Sequence, residues 1–182
     1  MLSKHMIDYI DALPERVSKK SVLAKRIAKE YETYRKKDDT LLSDAAALYC
    51  LGTQFISERI LEKPDKLTDT ERSIVDLIPY FSYQIIKNDK EISDDVKSMC
   101  LYYHSDNPSF IKEDIIAQDT IPSITEAAKQ RKSELYTIDV FISMTSKRAY
   151  REAFPASKAL SILKEDDQAS KDVLEYLKVF YG

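Results

Sequence analysis

The chain has 182 residues, 43% of them hydrophobic and 32% charged, which is enough for one domain with a real core and too few for two ordinary ones. A net charge of -3 excludes a broad electrostatic footprint for a nucleic-acid polymer or an anionic membrane. Gly52 and Gly182 are the only glycines. Doubly wound folds, hairpins and phosphate loops need glycine wherever the backbone takes positive φ, so the composition points to helices joined by turns that need none.

Residues 1–13 read as an N-terminal segment or a short helix, followed by a single helical domain over 14–182. The N-terminus has no uninterrupted apolar run of the signal-peptide kind, and no stretch reaches membrane-spanning length. Cys50 and Cys100 are isolated within apolar runs, as buried thiols of a reducing compartment are. These features together predict a cytoplasmic protein.

Apolar residues recur at helical spacing almost throughout. Val17, Ala24, Ile27, Ala28, Tyr31 and Tyr34 mark one face of a helix from about Pro14 to Lys37. Thr40 is placed to N-cap the next helix, through Leu41, Ala45, Leu48 and Tyr49, which should end near Gly52. A helical turn at Ser57–Leu61 leads to the loop KPDKLT, and Thr68-x-x-Glu71 is a capping box for the helix of Ile74, Leu77 and Ile78. Pro79 disturbs that helix or starts another with Phe81, Ile85 and Ile86. Ser93 is a cap for the segment through Tyr103, and a helix through Ile111, Ile115 and Ile116 follows Asn107-Pro108. After Pro122 comes a long helix whose later half, around Ile138, Val140, Phe141 and Met144, is apolar on several sides, the mark of a buried central element. Two more helices, near Pro155–Lys164 and Ser170–Phe180, close an all-α bundle.

Three stretches in order, ILEKPDKLTDTE (60–71), IDVFISMTSKRAYREAF (138–154) and PASKALSILKEDDQASKDVLEYL (155–177), resemble the bacterial HD-GYP family. The resemblance implies an HD-domain-like helical bundle in cyclic di-GMP signalling. Members hydrolyse cyclic di-GMP at a site of two or three transition metals, each needing several fixed N or O donors to activate water. Laid on that pattern, the chain lacks most donors. Tyr49-Cys50 stands for the His-Asp pair, Thr53 for the lysine, Ile78 and Tyr103 for two further histidines, and no Gly-Tyr-Pro follows Ser105. Only His104 and Asp139 remain as relic ligand positions. The replacements suit packing, which points to a pocket packed rather than rebuilt with new ligands, whether filled or still open, and to no metal, no other cofactor and no catalytic residue.

The best-preserved part is basic. The resemblance puts Lys63, Arg148 and Arg151 beside the substrate phosphates, where they would bind a phosphorylated ligand without hydrolysis. The alternative is that Arg148 and Arg151 hold their loop through helix C-terminal carbonyls and neighbours such as Glu152. His104 is equally read as a surface histidine, and Asp139 as a buried carboxylate linked to another helix, with His104 a candidate partner. Two functions compete: a catalytically inactive regulatory or protein-interaction module with an unidentified protein partner, and a non-hydrolysing sensor of cyclic di-GMP or a related nucleotide. A rearranged metallophosphohydrolase ranks below both. The polar stretch SITEAAKQRKSE (123–134), a lengthening of the long helix relative to the family, offers a partner surface.

Overall fold

The computed structural model describes residues 2–112, 117, 121–149 and 151–182. It is an all-α bundle, with no strand among the described residues and one isolated antiparallel bridge, Arg148 to Arg151. Two 20-residue helices, α2 (Glu15–Tyr34) and α9 (Glu126–Thr145), frame the molecule. Between them lies α3 (Leu41–Leu48), buried from Leu42 to Leu48. Its run of Ala45, Ala46 and Ala47 lets neighbouring backbones approach from several sides, so no face is left for solvent. A 3-10 turn (Leu51–Phe55) carries the chain from α3 to α4 (Glu58–Leu61), α5 (Asp69–Val75) and α6 (Ile78–Ile86). Then α7 (Asp94–Tyr102) packs against α3 and α9, while α10 (Ala156–Lys164) and α11 (Lys171–Tyr181) close over α9. α1 (Lys4–Asp11) sets Met6 and Ile10, with Leu2, into the same core. No described helix is long and apolar enough to cross a membrane.

The local signals act where they were expected in α5, α6 and α7. Thr68 and Glu71 form the reciprocal capping box, Pro79 lies in the first turn of a new helix, and the Ser93 hydroxyl accepts from the Val96 amide. The helix expected through Ile111 is present as α8 (Ser109–Lys112), while Ile115 and Ile116 lie outside the described residues.

Other sites show a different solution. Thr40 occupies the N-cap position of α3, but its hydroxyl donates to Asp44 at 2.7 Å. The first amides of α3 are served from a distance, Leu42 and Ser43 by Glu32 at 2.9 and 3.2 Å. Gly52 does not end α3 in a left-handed turn, since no glycine has positive φ. A Cβ there would run into the Ile78 carbonyl and lie 2.7 Å from the Phe81 Cβ and 2.8 Å from the Ser82 amide, so glycine is needed for close approach to α6.

Nor is every turn free of positive φ. α2 ends in a Schellman motif, with the Lys37 amide bonded to the Glu32 carbonyl (2.9 Å) and the Lys36 amide to that of Thr33 (3.0 Å). This geometry puts Lys36 at φ 52°, a conformation that costs a residue with a Cβ roughly 1 kcal/mol. Lys36→Gly should therefore stabilise the protein by about 0.5–1 kcal/mol, read as a rise in the urea midpoint at unchanged m value.

Candidate functional site

A cleft of about 1050 Å³ opens between α2, the 3-10 turn, the 61–67 loop, α6, the end of α7 and the C-terminal half of α9. That is at the upper end of the roughly 300–1,000 Å³ usual for small-molecule sites. Basic side chains outnumber carboxylates along its walls, and Lys63, Arg148 and Arg151 are among them, as are His104 and Asp139. The sequence positions singled out for the site thus do converge. The expectation of a packed pocket holds for its floor alone. Tyr49, Cys50 and Tyr103 are buried and Tyr49 meets Tyr103 edge to face at 5.2 Å, yet the space above them is open. The physical reason is that these replacements are neutral and pack sideways into the core, leaving the volume that faces solvent unclaimed.

Asp139 is the centre of the floor. One carboxylate oxygen accepts from the Tyr49 hydroxyl at 2.9 Å and lies 2.6 Å from the Lys20 ammonium of α2. The His104 Nε2 is farther from the other oxygen, at 3.7 Å. Burial by itself would raise the Asp139 pKa, but Lys20, His104 and the Tyr49 hydroxyl outweigh it and hold the carboxyl below its ordinary value. His104 goes the other way from a salt-bridged histidine. About half of its side chain is open to solvent, as expected of a surface histidine, yet partial desolvation of the ring, reinforced by Lys20, prevails over the pull of Asp139 and Asp76 and lowers its pKa. The link from Asp139 to another helix is therefore made chiefly to Lys20 and Tyr49, not to His104. Burial pushes the Tyr49 and Tyr103 hydroxyls well above the phenol range, with Asp139 adding to it, and takes the Cys50 thiol up to about 12.

Lys20 carries a signal that the reading of the sequence passed over. It lies three residues after Val17 and four before Ala24, on the apolar stripe of α2 itself. A cation at a stripe position needs a buried partner, and Asp139 is that partner.

The three basic positions have different circumstances. The Lys63 ammonium is 2.6 Å from Glu71, so it joins the capping box of α5. The Arg151 guanidinium donates to the carbonyls of Ser143 (3.0 Å) and Met144 (2.9 Å) at the end of α9, and to that of Glu152 (3.3 Å), while lying 4.1 Å from the Phe154 ring centre. It closes a helix C-terminus, as the structural alternative expected. Arg148 pairs its backbone with that of Arg151 and makes no side-chain hydrogen bond or ion pair among the described residues. Arg151→Lys, which keeps the charge but cannot span two carbonyls, should cost about 1.5 kcal/mol in chemical denaturation.

The polar stretch at the start of α9 is largely spent inside the molecule. Arg131 donates to Glu134 (2.9 Å) and Asp39 (2.5 Å), and Lys132 pairs with Asp106 at 2.7 Å.

A transition-metal centre does not fit these residues. Among the described residues no group of three or more His, Cys, Asp or Glu side chains comes close enough to hold an ion. The phenols and the thiol are held protonated, and an ammonium already lies against the one well-placed carboxylate.

No family model matches the chain. Over 121 residues, 66% of its length, it is 26% identical to a cyclic di-GMP phosphodiesterase of Pseudomonas aeruginosa. The kinship is distant. The aligned part spans only 28% of that enzyme.

Proposed function

We propose that residues 14–182 form a degenerate HD-GYP-like domain that does not carry out metal-dependent phosphodiester hydrolysis and works as a regulatory or protein-interaction module in the cytoplasm. The observation that carries this reading is the state of the floor: Asp139 is bonded to Lys20 and Tyr49, and among the described residues no group of three or more metal-ligating side chains gathers there. Hydrolysis of a phosphodiester by the metal route needs an ion that lowers the pKa of bound water and offsets phosphate charge, which these residues give no means of holding. The distant likeness to a cyclic di-GMP phosphodiesterase supports the relationship to that chemistry without extending to the activity. The buried free thiols suit a reducing compartment. Purified protein supplied with Mn²⁺ or Fe²⁺ should turn over neither cyclic di-GMP nor a generic phosphodiester. Turnover that disappears in Asp139→Asn or His104→Ala would overturn the proposal.

The open basic cleft favours a second reading, in which the domain binds cyclic di-GMP or a related nucleotide without cleaving it. Arg148, half-buried on the wall with its guanidinium uncommitted among the described residues, is the cation best placed to contact a phosphate, with Lys63 near its own carboxylate partner. Isothermal titration with cyclic di-GMP at high protein concentration separates the readings. Saturable heat lost in Arg148→Ala supports a sensor, and silence leaves the interaction module.

A further inference from the structure

We infer that Lys20 is the resident cation of this cleft, a protein-borne ammonium that takes over at Asp139 the charge-balancing role a divalent metal would otherwise have. This goes beyond the absence of hydrolysis, because it assigns the position to a specific group instead of leaving it vacant. Three observations carry it. The ammonium is 2.6 Å from Asp139 Oδ1, the distance of a direct charge-assisted hydrogen bond. It also lies 5.2 Å from the centre of the Tyr49 ring, whose hydroxyl bonds that same oxygen, so carboxylate, phenol and ammonium form one closed unit joining α2, the end of α3 and α9. And it is reached from the side where the cleft opens: Lys20 lines the cleft and keeps a quarter of its side chain accessible, whereas Asp139 keeps 9%.

An incoming ion would have to displace this ammonium from the oxygen it needs. Mn²⁺ or Zn²⁺ would gain one carboxylate and one imidazole, with water for the rest, and would leave Lys20 unpaired beside a second positive charge. Exchange is therefore unfavourable while Lys20 is present. Removing the lysine reverses the balance: the carboxylate is left without its cation, and Asp139 and His104 become accessible to a metal from the cleft.

The test uses thermal melts of the whole chain with EDTA and with millimolar Mn²⁺ or Zn²⁺. The wild type should melt at the same temperature in both. Lys20→Ala should melt several degrees lower in EDTA and recover part of the loss with metal, and that recovery should vanish in Lys20→Ala/Asp139→Asn. Lys20→Met/Asp139→Asn, a neutral pair of similar shape, should melt closer to wild type than either single variant, which keeps the idea testable if Lys20→Ala does not fold. A wild-type melt that rises with metal would overturn it, as would additive losses in the two single variants. The outcome is separate from the absence of hydrolysis, since a metal-blind Lys20→Ala sinks the assignment even when no turnover is seen.

Discussion

Gly52→Ala should destabilise the protein by about 3 kcal/mol or more, a far larger effect than glycine-to-alanine changes usually have. The new methyl would meet backbone on one side, the Ile78 carbonyl and the Ser82 amide, and the fixed Phe81 Cβ on the other. None of these is the end of a flexible side chain that can swing aside. The only relief is to move α6 away from the 3-10 turn, and that seam is tied by polar bonds. The buried Ser82 hydroxyl accepts from the Gly52 amide at 2.8 Å and donates to the Tyr49 carbonyl at 2.7 Å. Parting the seam strands these groups away from water, each at a cost of about 1–3 kcal/mol. Urea denaturation monitored by circular dichroism gives the direct measurement. Because Tyr49 is on the same seam, the variant should also disturb the floor of the cleft. Ser82→Ala, which removes the tie and leaves the packing, should lose less.

Arg131→Met should cost about 3 kcal/mol at pH 7 through charges left buried without compensation. Arg131 is the hub between α2 and α9. Its guanidinium donates to Glu134 and Asp39, and its Nη2 is 3.7 Å from Glu32. Glu32 is buried with 4% exposure and Glu134 with 8%. Lys37, 2.8 Å from Glu134, is the other cation bonded to this group, so without Arg131 one lysine faces three carboxylates. The pH dependence tests the cause. Burial already raises the Glu32 pKa above its ordinary value, against the pull of the Leu42 and Ser43 amides and of Arg131. Losing Arg131 raises it further. A carboxyl whose folded pKa exceeds its unfolded pKa destabilises fully above the folded value and not at all below the unfolded one. The gap between variant and wild type should thus narrow as the pH falls into the carboxylate range, and Glu32→Gln in the variant background should recover part of it at pH 7.

Most of the helices could be read from the sequence because each depends on its own residues. The capping box at Thr68 and Glu71, Pro79 in the first turn of α6, and the Ser93 cap are all settled within four residues. What the sequence did not disclose depends on partners far along the chain. Glu32 caps α3 from the preceding helix, and the pairing of Lys20 with Asp139 spans 119 positions. The uses of Gly52 and Lys36 came out reversed from the ordinary expectation. The glycine is there for contact, and the left-handed turn is taken by a lysine. At the site, residue type foretold the packed floor. It could not foretell the open cleft, because volume depends on where Tyr49 and Tyr103 point. Nor could it separate Arg151, turned to the end of α9, from Arg148, three residues earlier in the same loop.

The complete enclosure of α3 has a consequence for motion. Every residue from Leu42 to Leu48 is shut away from solvent, and the helix touches α2, α7 and α9 at once. Its amides have no route to exchange their hydrogens through fraying or a local opening, since freeing this helix means parting the whole bundle. In deuterated buffer they should be the slowest in the molecule, and their protection should match the free energy of global unfolding. The cleft floor at Tyr49 follows directly after this helix, so it is mounted on the part of the protein that moves least.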